Sequence, residues 1–417
     1  MITIKPFKGY RPASNLAEKI AAVPYDVINK AEAQQIAEGN PKSFLHITRS
    51  EIDLHPNADV YSQAVYDKAR SNFLQFIEKK WLVKDAQESI YLYQQTMGNH
   101  TQNGILALSS VNDYFEDRIK KHEFTRPKKE KDRINNMKTL GAHAGPVFMT
   151  YKNVAEINDW VNEYITNNKP EVDFTATDDI KHKLWCVTDA SLIATLTHLF
   201  KQHVPASYIA DGHHRAASSA KVSELLKAEN PNHTGDEAYN YFLTVLFPDN
   251  EMKILDYNRL IKDLNGLSAK DFLQKIEADF EVALIGAEIF KPTTARSFGL
   301  YLEKQWYQLT AKPHTYNEND PIDALDITTL SNYMLSKVLG IKDQRTDDRI
   351  DFVGGIRGLE ELEKRVNTGD WEMAIALYPV SVQQLIDIAD SGEVMPPKST
   401  WFEPKLRSGL VVHRFDE

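Results

Sequence analysis

The stretch Ser207-Tyr-Ile-Ala-Asp-Gly-His-His-Arg-Ala-Ala-Ser-Ser-Ala220 joins an apolar, strand-like run to a helix-compatible run through one Asp-Gly turn. Gly212 permits the positive φ that such a tight turn requires. A helix that begins directly after a strand presents its first N–H groups and its positive dipole end at the turn. The segment therefore predicts a strand–turn–helix unit whose turn is suited to an anion.

The side chains at this turn carry groups that are common in active sites. Arg215 offers a permanently charged fork for phosphate or carboxylate, while His213 and His214 offer a donor and a base near neutral pH. Asp211 would cap the helix, orient a histidine or hold a metal ion. In the alternative interpretation, Asp211 only caps the helix and both histidines are surface residues. The clustering of titratable groups favours the functional interpretation.

Outward from this unit, helix-like and strand-like segments alternate through most of the 417 residues. This alternation predicts a mixed α/β (α+β) fold in which multi-lobed mixed sheets are flanked by helices. We expect a main α/β region over 1–290 and a C-terminal α/β region over 291–417, which could share a sheet with the first. Locally, Asn29 and Glu32 predict a capping box, and two apolar runs over 89–96 and 104–111 predict a hairpin.

Composition narrows the class of protein. The 59 Asp and Glu residues exceed the 49 Lys and Arg residues and leave a net charge of -10, which argues against nucleic acid or an anionic membrane as partner. The single cysteine, Cys186, is typical of a reducing compartment, and its apolar neighbours predict a buried core thiol. No apolar stretch reaches the length of a membrane span. We therefore expect a cytoplasmic protein without a nucleic-acid or membrane partner.

A basic run over 118–133 holds eight Lys and Arg residues against three Asp and Glu residues. A local charge of that sign concentrates anions, so Arg126 and Lys128 are candidate phosphate ligands. Glu123 is a candidate catalytic carboxylate in the same run. The alternative is a solvated helix face, which is the usual role of such charge runs.

Three other segments hold candidate site residues. Gly355 and Arg357 lie in a glycine-rich passage from strand to helix that is able to receive an anion, or that is only a turn. Lys398 lies on a loop stiffened by Pro396-Pro397, which either closes a pocket or holds the last strand. Asp26 lies in an extended turn near the N-terminus, which is either a lid or a helix boundary.

Several of these motifs together resemble a bacterial and archaeal family known as domain of unknown function number 1015. The resemblance spans nearly the whole chain and by itself implies no activity. One departure is Asn258, since members of the family often carry histidine at that position. The motifs are Val23-Pro-Tyr-Asp-Val-Ile28, Asn40-Pro-Lys-Ser-Phe-Leu-His46, His122-Glu-Phe-Thr-Arg-Pro127, Gly145-Pro-Val-Phe148, Ala210-Asp-Gly-His-His-Arg215 and Met395-Pro-Pro-Lys-Ser-Thr-Trp-Phe402.

The strand–turn–helix unit is also similar to the phosphate-binding element of the ParB/sulfiredoxin-like fold. That superfamily includes proteins that bind or hydrolyse nucleotides, and free-serine kinases that use ADP or ATP. The similarity covers a few dozen residues around 200–225, and a fold alone does not determine function. It implies a phosphate site in this unit, with Mg²⁺ and ADP or ATP as cofactors.

Together these observations predict a phosphoryl-transfer enzyme, kinase or phosphatase, that acts on a small metabolite such as free serine or phosphoserine. Its partner would be a phosphorylated metabolite or a nucleotide. The alternative is a non-catalytic regulator that binds a nucleotide or metabolite. A DNA-binding protein is disfavoured by the net charge.

The expected division of roles follows from the chemistry of phosphoryl transfer, which depends on positioning and on neutralising charge. Phosphate oxygens would be held or neutralised by Gly212, Arg215, Arg126, Lys128, Lys398, Gly355 and Arg357. Catalytic roles would fall to His213 or His214 as base or nucleophile, and to Asp26, Glu123 and Asp211 as carboxylates that orient a histidine or bind Mg²⁺.

Overall fold

The computed structural model describes all residues, Met1–Glu417, and they form two compact units. The first unit comprises Met1–Met252 together with Pro404–Glu417, and the second comprises Lys253–Glu403. The predicted mixed α/β fold is confirmed. The boundary expected near residue 290 falls inside the second unit, because strands on both sides of that position hydrogen-bond within one sheet.

The first unit contains helices α1 to α9, and most of them pack against its central sheet or against one another. The helices are α1 Ala17–Ile20, α2 Lys30–Ala37, α3 Leu45–Thr48, α4 Gln63–Glu78, α5 Val111–Phe115, α6 Pro127–Leu140, α7 Ala155–Asn167, α8 Ala190–His203 and α9 His213–Glu229. The strands are β1 Ile4–Lys5, β2 Tyr10–Pro12, β3 Leu82–Lys84, β4 Ile90–Met97, β5 His100–Ser110, β6 Ile119–Lys120, β7 Ala142–His143, β8 Val147–Tyr151, β9 Val172–Thr175, β10 Lys181–Val187, β11 Ser207–Asp211 and β12 Tyr241–Pro248.

The central sheet of the first unit has nine strands in the order β6-β11-β8-β12-β5-β4-β10-β9, with β1 paired to β5. It is a mixed sheet, since β12 runs parallel to β8 while β11 runs antiparallel to it. Buried side chains of α7, α8 and α9, such as Ile157, Phe200 and Ala216, pack into the core of the sheet. A second core, which includes Phe44 and Phe73, joins α3 and α4 to the N-terminal strands.

Two local predictions in this unit are confirmed, and a third is confirmed with different bounds. The capping box is confirmed, because the Asn29 side chain accepts from the Glu32 N–H at 3.0 Å and Glu32 accepts from the Asn29 N–H at 2.7 Å. Cys186 is buried, as predicted. The hairpin is also present, but its second strand begins at His100 rather than at residue 104. A two-residue turn at Gly98-Asn99 closes it, so the polar residues that follow already pair in the ladder.

The second unit is built on an antiparallel sheet of six strands in the order β15-β17-β16-β19-β14-β18. Its helices are α10 Ala269–Ile276, α11 Asp326–Leu330, α12 Glu360–Asn367 and α13 Val382–Ser391. Its strands are β13 Ile254–Leu255, β14 Tyr257–Ile261, β15 Phe280–Gly286, β16 Ser297–Leu302, β17 Gln305–Ala311, β18 Ile350–Gly354, β19 Met373–Leu377 and β20 Trp401–Phe402.

The chain ends in the first unit, where the short strand β21, His413–Arg414, pairs with β7. The sequence predicts a longer closing strand over 409–414, but only its last two residues form a ladder. None of the helices is long and apolar enough to cross a lipid bilayer.

Candidate ligand-binding site

The turn between β11 and α9 has the predicted backbone. A bulge at the end of β11 precedes Gly212, which has φ 100°, and α9 begins at the next residue. The Arg215 side chain folds back over this turn, because a Cβ placed on Gly212 would lie 2.9 Å from Arg215 Nε. The expected anion cradle is therefore covered by the arginine of its own helix.

Arg215 is buried, with an exposed fraction of 9%, and its guanidinium has two partners. Nη1 donates to the carbonyl of Pro146, and Nη2 lies 3.5 Å from Asp211 Oδ2, whereas Nε has no hydrogen-bond partner. The Lys405 ammonium lies 3.4 Å from the same Asp211 oxygen. Burial alone would raise the pKa of Asp211, but Lys405 and Arg215 hold it well below its usual range. Asp211 is thus an ionised carboxylate between two cations.

Both histidines of the turn hold the backbone of the segment that precedes α6. His213 Nε2 accepts from the His122 N–H at 3.4 Å, and His214 Nε2 accepts from the Arg126 N–H at 3.0 Å. Burial lowers the pKa of both imidazoles, so they are neutral at pH 7. A neutral imidazole that accepts at Nε2 carries its proton on Nδ1. Action as a base or nucleophile would therefore require these bonds to break.

Two adjacent cavities lie beside this turn and share the wall residues Tyr25, Thr48, Arg133 and Asn136. The smaller, here called the Arg215 pocket, has a volume of about 50 Å³ and reaches the Arg215 side chain. The larger, here called the Tyr25 cavity, has a volume of about 230 Å³. Its charged wall residues are Asp26, Arg49, Glu51, Lys129, Asp132 and Arg133.

Helix α6 supplies one wall of the Tyr25 cavity. Lys129, Asp132, Arg133 and Asn136 are spaced i, i+3, i+4 and i+7, which places them on one helix face. Pro127 starts the helix at its first position, where the missing N–H leaves no intrahelical bond unmade. The Arg133 guanidinium stacks on the ring of Tyr25 at 4.1 Å. The first turns of α6 are thereby fixed against the N-terminal loop.

The charges of the Tyr25 cavity are balanced, with three cations and three carboxylates in its wall. Arg49 Nε lies 2.9 Å from Glu51, and Arg133 Nη2 lies 2.6 Å from Asp132. Asp26 is exposed and is the carboxylate outside these two ion pairs. Such a wall offers partners to both ends of a ligand that carries both signs of charge.

Tyr25 contributes a neutral phenol to both cavities. Burial and the neighbouring Asp26 raise the pKa of this phenol to about 12. At pH 7 it is therefore a hydrogen-bond donor as well as an acceptor.

The structure brings together some of the predicted site residues and separates others. The side chains of Arg126 and Lys128 are exposed and line neither cavity, although the Lys128 ammonium lies 4.7 Å from the centre of the Tyr61 ring in the cavity wall. The turn gathers Asp211, Gly212, His213, His214, Arg215 and Glu123, whose carboxylate lies 4.0 Å from His213 Nδ1, and Asp26 lines the adjacent cavity.

Lys398, Gly355 and Arg357 belong to the second unit. The passage at Gly355 differs from the predicted one, because a short 3-10 turn over Gly355–Arg357 separates the strand from α12. The first turn of α12 carries three glutamates, which repel an anion from that helix N-terminus. This environment does not favour phosphate binding at Gly355 and Arg357.

Four of the cavity residues are not predicted from the sequence: Arg49, Glu51, Asp132 and Arg133. The helical spacing within the basic run was an available signal for the α6 residues. Arg49 and Glu51 carried no such signal, since only the fold brings their segment to this wall.

The carboxylates assigned to Mg²⁺ do not form a ligand set. No group of three or more His, Cys, Asp or Glu side chains is placed to hold a metal ion. Asp211 instead pairs with Arg215 and Lys405. The residues present therefore do not fit a protein-held metal.

Replacing Gly212 by Ala is expected to destabilise the first unit by more than the cost of a positive φ at a residue with a side chain. A residue other than glycine at positive φ costs about 1–2 kcal/mol, and the new Cβ would also displace the Arg215 guanidinium. Gly235→Ala is the matched control, because Gly235 has φ 102° and nothing within 4 Å of its Cβ position. Urea denaturation of both variants measures the difference. Equal losses of unfolding free energy in the two variants would show that the position of the Arg215 side chain does not depend on the space above Gly212.

The fold and the site define a mixed α/β protein with a charged cavity beside a strand–turn–helix junction. Residues 4–328 match the family model described as "Protein of unknown function (DUF1015)", and the chain belongs to that family. The match extends from the first unit into the second. No curated protein matches the sequence.

Several solved structures are distantly similar. A mutant of free serine kinase in complex with AMP has 12% identity and a TM-score of 0.35, covering 72% of this chain and 87% of its own. A conserved hypothetical protein from Pyrococcus furiosus has 15% identity and a TM-score of 0.33, covering 73% of this chain and 93% of its own. C-terminally truncated SbnI from Staphylococcus aureus has 11% identity and a TM-score of 0.36, covering 72% of this chain and 82% of its own. At these scores the similarity carries no conclusion about activity.

Proposed function

We propose that this protein is a phosphoryl-transfer enzyme that binds a small zwitterionic metabolite in the Tyr25 cavity. Free serine or phosphoserine is the preferred substrate. The observation that carries the proposal is the convergence of four segments, 25–28, 48–51, 60–65 and 129–136, on one cavity with charges of both signs. Titratable groups gathered in a concave site are a general mark of function.

The charge pattern supports an amino-acid substrate. Phosphoserine carries a carboxylate, an ammonium group and a phosphate, so it needs cations and anions in one small space. Arg49, Lys129 and Arg133 are the cations of the wall, and arginine matches carboxylate and phosphate oxygens as a bidentate fork. Glu51 is the partner for the ammonium group. A site built for a simple phosphate would have a net positive charge.

Asp26 is the proposed base. In the kinase direction the serine hydroxyl oxygen attacks a terminal phosphorus of ADP or ATP. The new O–P bond forms as the bond to the nucleotide's bridging oxygen breaks, and the hydroxyl proton passes to the Asp26 carboxylate. In the phosphatase direction a water oxygen attacks the phosphorus of phosphoserine and gives a proton to Asp26. The bond from phosphorus to the serine oxygen breaks, and the serine oxygen takes up that proton as it leaves. Arg215 in the adjacent pocket supports the charge that develops on the phosphoryl oxygens.

The histidines of the turn act indirectly in this proposal. His213 and His214 hold the backbone of His122 and Arg126, and α6 begins directly after Arg126. By anchoring this segment they position Lys129 and Arg133 at the cavity wall. This replaces the role of base or nucleophile that the sequence predicts for them.

Arg133→Met is expected to weaken phosphoserine binding about 10-fold to 100-fold, because it removes a charge-assisted hydrogen bond of about 1.5–3 kcal/mol. Calorimetric titration with phosphoserine, serine, ADP and ATP measures the affinities, and detection of phosphoserine or released phosphate measures turnover. Lys138→Met is the matched control, since Lys138 lies on the same helix and pairs with Glu229 outside both cavities.

The outcomes separate the proposal from its alternative. Binding with turnover, weakened in the Arg133 variant alone, supports the enzyme. Binding without any product supports a non-catalytic regulator that binds a nucleotide or metabolite. If none of the four compounds binds, or if both variants lose binding equally, the Tyr25 cavity is not the site.

A further inference from the structure

Arg259 on β14 is a fully buried arginine that no carboxylate neutralises. Its exposed fraction is 0%, and its hydrogen bonds go only to main-chain carbonyls. Nη1 donates to Tyr257, Nη2 donates to Pro397 at 3.2 Å, and Nε has no partner. Asp256, three residues earlier, accepts from the Asn258 side chain instead. The positive charge of the guanidinium is therefore not paired with a carboxylate inside the second unit.

Other deeply buried arginines in this chain are paired. Arg215 and Arg407 are each within ion-pair distance of an aspartate, Asp211 and Asp178 respectively. Removing a charge from water without a counter-ion costs several kcal/mol. Burial lowers the pKa of Arg259 to about 9, because burial disfavours the charged form of the side chain. A folded protein tolerates such a cost where a ligand supplies the missing charge.

The surroundings of Arg259 hold two aromatic rings and a second cation. The guanidinium carbon lies 4.9 Å from the centre of the Phe352 ring and 5.9 Å from the centre of the Tyr257 ring, so aromatic rings are its neighbours where a carboxylate is absent. The Lys398 ammonium lies 5.6 Å from the Tyr257 ring. Arg259 and Lys398 therefore contact the same ring, and Lys398 belongs to the loop whose Pro397 carbonyl accepts from Nη2.

That loop stores backbone strain. Lys398 has φ 58°, a left-handed conformation that is unfavourable for a residue with a side chain. Strain of this kind persists only where the surrounding structure enforces it, and it is concentrated at ligand clamps and switches. The hydrogen bond from Arg259 Nη2 to the Pro397 carbonyl therefore joins the unpaired guanidinium to the strained loop.

We propose that Arg259 anchors a second ligand site, which binds a small oxyanion, carboxylate or phosphate, when the Pro397 carbonyl moves away from Nη2. Two oxygens of the anion accept from Nη2 and Nε as a bidentate pair. The proposal concerns the second unit alone and does not depend on the function proposed for the Tyr25 cavity.

The test compares the full chain with its Arg259→Met variant in titrations with inorganic phosphate and with acetate. The ¹H–¹⁵N NMR signal of Arg259 Nε, identified by its loss in the variant, is expected to shift on titration. The unfolding free energy of the second unit, measured by thermal unfolding, is expected to rise with anion concentration in the wild type. The rise is about 1.4 kcal/mol for each tenfold excess over Kd, and the variant is expected to show none. Arg365→Met is the matched control, because Arg365 is more exposed and pairs with Glu361.

The variant also gives an independent outcome without ligand. Methionine fills similar space without charge, so Arg259→Met is expected to be as stable as the wild type or more stable in anion-free buffer. A shift with phosphate only, or with acetate only, identifies which oxyanion the site prefers. The proposal is overturned if the Nε signal does not move with either anion, or if the variant keeps the stabilisation seen in the wild type.

Discussion

Lowering the pH from 7 to 5 is expected to remove about 2 kcal/mol of unfolding free energy for each of five buried, neutral histidines of the first unit. Burial lowers the pKa of His122 to about 4 and that of His182 and His413 to about 3. It holds the pKa of His143 and His213 well below the usual value. Together these groups account for about 10 kcal/mol, which is comparable to the whole stability of a typical domain.

The direction follows from proton binding in the two states. An unfolded histidine takes up a proton near pH 6.5, whereas these native imidazoles do not until the pH is much lower. The unfolded state therefore binds more protons below pH 6.5, and stability is lost as the pH falls from there toward the native pKa values. His46 acts in the opposite direction, because its bond to Asp53 raises its pKa, but it is one group against five.

Urea denaturation followed by circular dichroism at pH 7, 6 and 5 measures this effect. The expected slope corresponds to several protons taken up on unfolding. His182→Gln is expected to reduce the slope by about one proton, because His182 is buried and bonds to Tyr93 at 2.7 Å. His55→Gln is the control, since His55 is exposed. A stability that is independent of pH between 7 and 5 would contradict the prediction.

Asp26→Asn is expected to reduce turnover by about 100-fold or more while leaving the fold intact. General base catalysis contributes about 10²-fold to 10⁴-fold, and asparagine keeps the shape of the side chain but cannot accept the hydroxyl proton. Because Asp26 is exposed, its replacement changes few native contacts. The loss should therefore appear in kcat rather than in the unfolding free energy.

The measurement is steady-state formation of phosphoserine from serine and the nucleotide that the wild type uses. Asp159→Asn is the control, because Asp159 is an exposed carboxylate on α7. Unchanged turnover in the Asp26 variant would remove Asp26 from the mechanism. A loss in both variants would point to a general effect of charge rather than to catalysis.

The strand–turn–helix unit was predictable because its causes are local. An apolar run, an Asp-Gly pair and a helix-compatible run follow one another, and only glycine takes the conformation at φ 100° without strain. The capping box at Asn29 and Glu32 is local in the same sense, since its partners lie three residues apart.

The direction of the Arg215 side chain was not predictable in this way. Its guanidinium bonds to the carbonyl of Pro146, 69 residues away, and shares Asp211 with Lys405, 194 residues beyond that aspartate. The sequence alone predicts an Arg215 guanidinium that is available to a ligand at an open turn. Only the packed structure shows that this arginine closes the turn and faces a pocket on its other side.

What the sequence by itself determined is the set of short-range structures and the chemical groups they carry, because backbone conformation and capping depend on neighbouring residues. What only the tertiary structure decided is which of those groups meet. The Tyr25 cavity takes its charges from segments around Asp26, Arg49 and Arg133, and the lone pairs of His213 and His214 are used by distant N–H groups. Burial and hydrogen bonding between remote segments set these roles, and no local pattern encodes them.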